Sequence, residues 1–410
     1  MSQPSALKAF LAPAVIVGAL GYFVDVYDLI LFSILRIPSL KDLGFSGDLL
    51  VSHGILLLNL QMIGMLVGGI VFGILGDRLG RVFLLFGSIL LYSVANIANG
   101  FVHSIEAYAV WRFIAGFGLA GELGGGITLV TEVLPKESRG YGTTLITTIG
   151  VLGAVIGGFV AQKVPWRDAY FIGGGLGLLL LVARLSVAES GLFHQMRRQD
   201  NVARGNFLSL FTDSRRFVKY LCCILIGLPT WLVVGVLVTF SPEISQALQV
   251  QGEIKVAQAV AFAYVGITFG GFASGYFSQL LGSRKKIVRA FLAYTAAAAL
   301  AYFLCRGQTD GTFYFIVVQL GFGVGYWAVF ATIAAEQFGT NIRATVATTV
   351  PNFVRGATVP LTLAFEFLKP HTGIIASAAV ISAVSLLIAM LALRGLDETH
   401  GKDLDYFEPV

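Results

Sequence analysis

A chain of 410 residues that is 56% hydrophobic and only 12% charged, with a mean hydropathy of +0.81, has too little polar surface to enclose a water-soluble core. The formal net charge of +5 would suit an acidic partner such as nucleic acid, but its meaning depends on where in the chain the basic residues lie. The three cysteines, Cys222, Cys223 and Cys305, are odd in number and two are adjacent, which excludes a disulfide framework and a metal-binding spacing.

Apolar stretches long enough to cross a bilayer recur along almost the whole chain. Crossing roughly 30 Å of hydrocarbon takes about 20 apolar residues in a helix. We predict twelve such helices, numbered spans 1 to 12, at residues 11–35, 50–75, 82–102, 105–131, 141–162, 168–188, 217–240, 256–281, 287–305, 312–335, 344–368 and 371–394. The first is longer than the apolar core of a signal peptide, so we expect it to remain as span 1.

One long polar connection separates two sets of six spans. We predict an N-terminal six-helix bundle at 1–190, a cytoplasmic linker at 191–216, a C-terminal six-helix bundle at 217–395 and a cytoplasmic tail at 396–410. Lysine and arginine concentrate in the loops on the side of the amino terminus, which the positive-inside rule assigns to the cytoplasm. An even number of crossings then places both termini there. This topology accounts for the positive charge, and we expect no nucleic-acid partner.

Short segments recur in equivalent places of the two sets of spans. The pair Gly73 and Gly80 after span 2 matches Gly275 and Gly282 after span 8, Gly116 and Gly118 in span 4 match Gly321 and Gly323 in span 10, and Glu132 and Arg139 match Glu336 and Arg343. Such an internal repeat indicates two similar bundles around a midplane cavity. The predicted fold class is therefore an all-α membrane protein of two pseudo-symmetric six-helix bundles.

The turn after span 2 resembles a known family signature. Residues 73–81 read Gly-Ile-Leu-Gly-Asp-Arg-Leu-Gly-Arg, which is similar to the G-x-L-x-D-R-x-G-R of the major facilitator superfamily. Arg112 with Gly116 and Gly118 resembles the helix 4 signature of that family, and Glu398-Thr399 with the following Gly and Lys resembles an ending of its sugar-porter and metabolite-symporter branches. The resemblance covers nearly the whole chain. It implies the major facilitator fold and a secondary transporter that works by alternating access, without enzymatic activity or a cofactor.

Two short patterns resemble particular branches of the family. Gly121-Glu122 in span 4 is similar to metabolite:proton symporters, and Asp25-Val-Tyr-Asp28 in span 1 is similar to the D-G-Y-D of aromatic-acid:proton symporters. For sugar carriers the resemblance implies glutamines in the centres of spans 5 and 7. This chain has no amide there, which lowers the expectation of a sugar substrate.

The resemblance also implies a gating latch on the cytoplasmic side. Its candidate residues are Asp77, Arg78, Gly80 and Arg81 after span 2, Glu132 and Arg139 after span 4, and Glu336 and Arg343 after span 10. An aspartate at a helix N-terminus gains about 0.3–1 kcal/mol from the helix dipole, enough to bias a balanced equilibrium without locking it. The alternative is that these charges only anchor the topology. In the second half, Gln279 and Ser283 replace the aspartate and the last arginine, so we expect a weaker latch there.

Five ionisable residues fall well inside the predicted spans: Asp25, Asp28, Arg112, Glu122 and Arg355. Each costs about 2.5–3.5 kcal/mol at the bilayer centre, so all five should face the protein interior. Span 1 runs outward and span 4 inward, which puts Asp28 and Arg112 at equal depth, and we expect them to form a proton-coupling ion pair. The family resemblance implies the same assignment. The alternative is a permanent salt bridge that fixes the packing of the two helices.

Asp25 and Glu122 are further proton-coupling candidates. Glu122 is equally compatible with an acid that is hydrogen-bonded across helices for stability alone. Arg355 has no acid at its depth in the second-half spans, so it is a candidate for binding an anionic substrate group through its planar guanidinium. The alternative for Arg355 is a pair across the cavity with Asp25 or Glu122.

Further candidate substrate contacts are polar or aromatic residues in the spans. They are Asn59 and Gln61 in span 2, Trp231 in span 7, Gln319, Tyr326 and Trp327 in span 10, and Asn352 in span 11. Each is also compatible with ordinary helix packing. The five histidines lie scattered without metal-site spacing, so we expect no metal ion and no cofactor.

The leading functional hypothesis is a proton-coupled symporter for a small polar metabolite, with an organic acid favoured over a sugar. An efflux antiporter for a drug-like or metabolite compound is the alternative, because acids and arginines in a cavity serve either direction. A non-transporting sensor on the same fold is a third hypothesis, but it would usually carry a cytoplasmic signalling domain. We expect the partners to be substrate, protons and lipid, the location to be the cell (bacterial inner) membrane, and the active form to be a monomer.

Overall fold

The first half of the chain forms six long helices. The computed structural model describes residues 13–79, 81–133, 139–187 and 207–400, and over these residues it contains helices and no β-strand. The helices of this half are α1 (Pro13–Asp42), α2 (Asp48–Leu79), α3 (Arg81–Gly100), α4 (Ile105–Val133), α5 (Arg139–Lys163) and α6 (Trp166–Val187). Each overlaps one of predicted spans 1 to 6, with ends that differ by up to seven residues.

The second half uses shorter helical pieces. Span 7 consists of α8 (Ser214–Leu225), α9 (Leu228–Leu232), a π-helix (Val233–Val238) and α10 (Ser241–Ala247), preceded by the short α7 (Ser209–Thr212). Spans 8 and 9 are α11 (Val256–Leu280) and α12 (Arg284–Leu304). Span 10 is α13 (Asp310–Val324) with α14 (Trp327–Glu336), span 11 is α15 (Thr340–Gly356) with α16 (Thr358–Thr372), and span 12 is α17 (Ile374–Arg394).

The sequence predicted continuous helices for spans 7, 10 and 11, and the structure interrupts all three. Proline explains the breaks in two of them, because it cannot donate a hydrogen bond to the carbonyl four residues earlier. Pro229 stands four residues after the end of α8, Pro242 four residues after the end of the π-helix, and Pro360 four residues after the end of α15. Span 10 breaks at Gly325, where a Cβ atom would lie 2.6 Å from the backbone of Gly270.

The outer surface of the helices is apolar. Eight of the described helical stretches are long and apolar enough to cross a membrane, and two shorter apolar helices, Leu85–Gly100 and Ile149–Lys163, correspond to spans 3 and 5. Spans 4 and 11 are outside this set, and both carry ionisable residues. Large apolar side chains such as Phe159, Leu179 and Phe367 are more than 60% exposed, which suits a lipid environment.

Equivalent glycines build the same helix contact in each half. A Cβ atom on Gly64 would lie 2.2 Å from a backbone oxygen of span 4, and one on Gly266 would lie 2.1 Å from a backbone oxygen of span 10. In the reverse direction, a Cβ atom on Gly116 or Gly321 would lie 2.0 Å from a backbone oxygen of span 2 or span 8. Only glycine permits such close approach. The repeat found in the sequence is therefore a repeat of the packing between helices.

The two halves meet along two symmetry-related contacts. Span 2 packs against span 11, and span 5 packs against span 8. In two halves related by a pseudo-twofold axis, span 2 is equivalent to span 8 and span 5 is equivalent to span 11. The two contacts are therefore equivalent to each other. A Cβ atom on Gly69 would lie 2.9 Å from the Cβ of Asn352, and one on Gly158 would lie 2.8 Å from the carbonyl oxygen of Ala257.

Candidate functional site

The five ionisable residues of the spans are all enclosed by protein. Asp25, Asp28 and Arg112 have no exposed surface, Arg355 is 1% exposed and Glu122 is 3% exposed. None of them faces the apolar outer surface. The pairing of these residues differs from the one expected.

Arg355 pairs with Asp25 across the two halves. Nη2 of Arg355 lies 3.3 Å from Oδ2 of Asp25, although the residues are separated by most of the chain. Of the two roles predicted for Arg355, this contact corresponds to pairing across the cavity. Among the described residues, Asp25 Oδ1 and Nε and Nη1 of Arg355 have no hydrogen-bond partner. Tyr22 lies beside the pair, and the half-buried Trp327 lies next to Tyr22.

Glu122 is held entirely within the first half. Arg184 of span 6 donates two hydrogen bonds to its carboxylate, at 3.1 and 2.8 Å. Gly21 of span 1 lies against this pair, and a Cβ atom there would be 2.1 Å from Nη2 of Arg184. The geometry corresponds to the structural alternative for Glu122. The sequence interpretation overlooked Arg184, although it is a basic residue inside predicted span 6.

The expected ion pair between Asp28 and Arg112 is absent from the structure. Neither carboxylate oxygen of Asp28 and none of the three guanidinium nitrogens of Arg112 has a hydrogen-bond partner among the described residues. Both residues are fully buried, and Arg112 is near enough to Asp28 for a coulombic interaction without contact. Counting residues from the helix ends gives the depth of Asp28 and Arg112 in the membrane. It does not give the rotation of each helix about its axis, which decides whether the two side chains face each other.

The guanidinium of Arg112 points into an aromatic cluster, which we define as Phe32, Tyr108, Trp166 and Tyr170. Its central carbon lies 5.0 Å from the ring centre of Phe32 and 5.8 Å from that of Tyr170, within the range of cation–π attraction. The hydroxyls of Tyr108 and Tyr170 lie 2.7 Å apart. The sequence interpretation missed this cluster.

A signal for the aromatic cluster was nevertheless present in the spacing. Residues four apart on a helix share a face. Phe32 follows Asp28 by four residues in span 1, and Tyr108 precedes Arg112 by four in span 4. Trp166, two residues before predicted span 6, precedes Tyr170 by four.

Two of the predicted substrate contacts lie between the halves. Asn59 accepts a hydrogen bond from the hydroxyl of Thr362 at 2.6 Å, and Asn352 donates to the carbonyl oxygen of Ala120 at 3.0 Å. Both asparagines therefore join span 2 or span 4 to span 11. The side chains close the interface in this conformation.

The other predicted contacts hold helices within a half. Gln61 donates to Leu29 O at 3.2 Å within the first half, and the hydroxyl of Tyr326 donates to Ile226 O at 2.7 Å within the second. Trp231 is buried in the core of the second half. Gln319 accepts a hydrogen bond from Tyr294, which is 40% exposed, so Gln319 lies towards the outer surface and not among the central residues.

Little of the predicted cytoplasmic latch belongs to the described part of the structure. Gly80 lies outside the described residues, as do the side chains of Asp77, Arg78, Arg81, Glu132, Arg139 and Arg343. Glu336 accepts a hydrogen bond from Arg284 at 2.7 Å and so ties span 10 to the start of span 9.

Glu398 anchors the chain after span 12 to the turn between spans 8 and 9. Its carboxylate accepts hydrogen bonds from Ser283 Oγ at 2.5 Å and from the backbone N–H groups of Arg284 and Lys285 at 3.0 and 3.3 Å. Partial burial would raise the pKa of Glu398, but these hydrogen bonds outweigh it and lower the pKa to about 2. Ser283, which replaces the arginine of the first-half signature, thus serves this anchor.

On the opposite face, two ion pairs join the halves. We call this the loop 1–2 face, because it carries the loop between spans 1 and 2. Nη2 of Arg36 lies 2.5 Å from Oε1 of Glu243, and Lys369 Nζ lies 3.0 Å from Asp48 Oδ1. Arg36 is fully buried, while Asp48 is exposed.

Arg36 is the centre of the contact on the loop 1–2 face. Besides its ion pair it donates hydrogen bonds to the carbonyl oxygens of Thr239 at 3.2 Å and Leu50 at 3.3 Å, and it lies 4.5 Å from the ring centre of Phe240. The loop 1–2 face is therefore closed in this conformation. Arg36 was not singled out from the sequence.

Two pseudo-symmetric helical halves, an apolar outer surface and charged pairs buried between the halves define a polytopic transporter fold. A family model for the Major Facilitator Superfamily matches residues 18–358, and the chain belongs to this superfamily. The family resemblance seen in the sequence is thereby confirmed. The protein is an integral membrane transporter and not an enzyme.

Comparison with known proteins finds several transporters of moderate similarity. The niacin transporter NiaP of Acinetobacter baylyi is 27% identical, covering 95% of this chain and 94% of its own. The putative niacin/nicotinamide transporter NiaP of Bacillus subtilis is 26% identical, covering 83% and 84%. The sialic acid transporter NanX of Escherichia coli is 28% identical, covering 61% and 64%.

Among solved structures, a D-xylose-proton symporter superposes with a TM-score of 0.71. The match covers 98% of this chain and 100% of that chain at 16% sequence identity. The likeness establishes a common fold.

Proposed function

We propose that the protein is a proton-coupled symporter that imports a small organic acid. The observation that carries this proposal is the buried ion pair between Asp25 and Arg355, because it joins the two halves that must move apart during transport. Separating the pair inside a low-dielectric interior leaves a carboxylate without its cation. Such a group is far less costly when protonated. Movement of the halves and proton occupancy are therefore linked.

Asp28 provides a second carboxyl group next to this pair. It lies one helical turn from Asp25, is fully buried, and has no hydrogen-bond partner among the described residues. An unpartnered charged carboxylate at this depth is strongly disfavoured. Asp28 is for this reason our principal proton carrier, with Asp25 as the group that senses the opening of the halves.

An organic acid suits the cationic groups of the interior. Arg112 and Arg355 are both buried, and a guanidinium binds a carboxylate through two parallel hydrogen bonds. Niacin and sialic acid, after which two of the relatives are named, are both carboxylic acids. These points favour an acid over a neutral sugar.

The orientation and organisation of the chain belong to the same proposal. The distribution of lysine and arginine supports cytoplasmic termini. The long polar connection between the two sets of six spans supports a bundle at 1–190, a linker at 191–216, a bundle at 217–395 and a tail at 396–410. The loop 1–2 face would then be the outer face of a bacterial inner membrane. The latch at Asp77, Arg78 and Arg81 would act on the opposite side, and one chain would contain the whole pathway.

Transport assays in proteoliposomes test this function. Purified protein is reconstituted in vesicles, an inwardly directed proton gradient is imposed, and labelled organic acids, sugars and amino acids are screened for uptake. We expect an organic acid to accumulate above its external concentration, and a protonophore to abolish the accumulation. Exchange without accumulation would contradict symport, and accumulation only under the reverse gradient would indicate antiport.

Asp28→Asn tests the proton carrier. We expect it to abolish gradient-driven uptake while counterflow of labelled against unlabelled substrate stays measurable, because a neutral side chain mimics the protonated state. Asp168→Asn is the matched control, since Asp168 is an exposed acid in the first turn of span 6. Gradient-driven uptake by Asp28→Asn equal to that of the parent would contradict the assignment.

A further inference from the structure

We propose that three exposed cations on the outer surface, Lys286, Arg289 and Arg394, bind the headgroup of an anionic phospholipid. We call these residues the cation cluster. They lie on the face opposite the loop 1–2 face, away from the charged pairs buried between the halves. The site is independent of the transported substrate and of the coupling ion. In the orientation proposed above, the lipid belongs to the cytoplasmic leaflet.

Spans 9 and 12 bring the cation cluster together. The two helices pack against each other, and the start of span 9 and the end of span 12 lie on the same face of the protein. Contact at this end is direct, because Nζ of Lys285 donates a hydrogen bond to the carbonyl oxygen of Leu396. Lys286 and Arg289 are three residues apart and share the exposed face of span 9. Arg394 is exposed in the last turn of span 12.

The acids near the cation cluster are already paired elsewhere. Glu336 accepts a hydrogen bond from Arg284, and Glu398 is held by the turn between spans 8 and 9. Asp397 forms an ion pair with Lys219 at 3.9 Å. Among the described residues, no carboxylate forms an ion pair with any member of the cation cluster. Three positive charges are thus left facing the membrane surface.

Helix stability does not account for the two cations of span 9. The N-terminus of a helix is the positive end of its dipole, where a cation is disfavoured. The first turn of span 9 contains no acid and holds Lys286, and Arg289 follows in the next turn. The positive-inside rule explains the sign of these charges but not their position on an exposed helix face without a partner. The phosphate of an anionic lipid would supply the missing negative charge.

The surface next to the cation cluster suits acyl chains. On span 12, Leu391 and Leu387 are 52% and 60% exposed, one and two turns before the end of the helix. On span 9, the exposed Ala293 and Ala297 follow Arg289 at a spacing of four residues and so continue the same helix face. These small side chains leave room for acyl chains beside the leucines of span 12. A lipid can therefore use the cations and the apolar surface together, whereas a soluble phosphate can use only the cations.

Lipid titration of the purified full-length protein tests the site. The protein in detergent is titrated with phosphatidylglycerol, or with phosphatidylcholine that has the same acyl chains. Native mass spectrometry counts the bound lipids and reports the oligomeric state. We expect the parent to bind phosphatidylglycerol more tightly than phosphatidylcholine, because only the former carries a net negative charge. Equal binding of the two lipids would overturn the proposal.

Substitution of the cation cluster locates the binding. Lys286→Gln, Arg289→Gln and Arg394→Gln should each weaken binding of phosphatidylglycerol about fivefold, since each basic residue near an anionic headgroup contributes about this factor. The triple variant should bind phosphatidylglycerol about 100-fold more weakly and phosphatidylcholine as the parent does. Binding of phosphatidylglycerol that is equal in the parent and the triple variant would overturn the proposal.

A matched control removes the same net charge from the opposite face. Lys163, Lys255 and Arg306 are exposed in loops on the loop 1–2 face, and all three are replaced by glutamine. This control should bind phosphatidylglycerol as the parent does. An equal loss in both triple variants would assign the effect to net charge and overturn the local site.

Two measurements separate a lipid from other occupants. Glycerol 3-phosphate has the headgroup chemistry without acyl chains, so an excess of it should leave the lipid bound; displacement would assign the cluster to a soluble phosphate. Ala293→Trp should weaken binding of phosphatidylglycerol although every charge is kept, and unchanged binding would contradict the lipid. A parent dimer that becomes a monomer in the triple variant, without a change in lipid binding, would assign the cluster to a second copy of the chain.

Melting temperatures exclude a loss of fold as the cause. Parent, control and triple variant should melt together without added lipid, because all the substituted side chains are exposed. Phosphatidylglycerol should then raise the melting temperature of the parent and the control more than that of the triple variant, since a ligand stabilises the state that it binds. An equal rise in all three proteins would overturn the proposal. If the triple variant is less stable without lipid, the three single variants carry the comparison.

Discussion

The closed loop 1–2 face depends on a buried ion pair, and its removal should open that face. In Glu243→Gln, Arg36 keeps its hydrogen bonds to two backbone carbonyl groups but loses its charged partner. Loss of the carboxylate raises the free energy of the closed conformation only, because water solvates Arg36 once the halves part. The substitution should therefore shift the equilibrium towards the conformation that is open on this face.

The size of the shift follows from the geometry. Removing one member of a buried ion pair costs about 3–5 kcal/mol. Glu243 is 19% exposed and glutamine can still accept a hydrogen bond from Arg36, so we expect a loss of about 2–3 kcal/mol. Since 1.4 kcal/mol corresponds to a factor of ten, the ratio of closed to open molecules should fall about 30- to 150-fold.

Cysteine labelling measures this ratio. Asn59→Cys is introduced into a background in which Cys222, Cys223 and Cys305 are replaced by serine. Asn59 is 6% exposed and bonded across the halves to Thr362, so its reaction with a membrane-impermeant maleimide requires opening. The labelling rate is proportional to the open fraction while that fraction is small. We expect the rate to rise about 30- to 150-fold in Glu243→Gln.

Two comparisons make the result specific. Asp42→Asn removes an ion pair of the same length, 2.5 Å to Arg167, but both residues belong to the first half, so the labelling rate should stay at the parent value. Arg36→Met with Glu243→Leu replaces the pair by apolar side chains and should restore much of the closed population. A labelling rate in Glu243→Gln within about twofold of the parent would refute this account of the closed face.

Three further outcomes are expected. Gly64→Ala should lower the melting temperature and transport, because its Cβ would lie 2.2 Å from a backbone oxygen, whereas Gly87→Ala, with no neighbouring atom within 4 Å, should change neither. Glu122→Gln should lower the melting temperature yet retain proton-driven uptake, since Glu122 pairs with Arg184 inside one half; loss of coupling in this variant would make it a proton site. Glu398→Gln should have a lower melting temperature than the parent at pH 7, and the difference should shrink as the pH falls from 4.5 towards 2. The reason is that Glu398, whose pKa is lowered in the folded state, stabilises the fold only while it is ionised. A difference in melting temperature that does not depend on pH would contradict this role of Glu398.

Much of the fold was accessible from local features of the sequence. The lengths of the apolar stretches placed the twelve spans, and the recurring glycines indicated two similar bundles. The structure places these glycines at the contact between spans 2 and 4 and at its copy between spans 8 and 10. The breaks in spans 7 and 11 also had a signal, since Pro229, Pro242 and Pro360 each deprive a carbonyl four residues earlier of its partner. That signal was overlooked because hydropathy alone does not respond to proline.

The candidate site was only partly accessible. The sequence identified five buried ionisable residues, since a charge inside an apolar span is expensive and stands out. It missed Arg184 and Arg36, because both lie near the ends of spans, where a basic residue is unremarkable. The interpretation also paired Asp28 with Arg112 by depth, and the structure turns Arg112 towards Phe32 and Tyr170 instead.

The amino-acid sequence was sufficient to show that this protein is embedded in the lipid bilayer and that it crosses the membrane in two similar sets of six helices. It also showed that ionisable residues lie inside the spans, where a charge is energetically costly. These properties depend on composition and on spacing along a helix, which are local. The pairing of each cation with its acid became evident only in the folded molecule. That pairing depends on how each helix is rotated about its axis and on contacts such as the one between Asp25 and Arg355, whose partners lie in different halves of the chain.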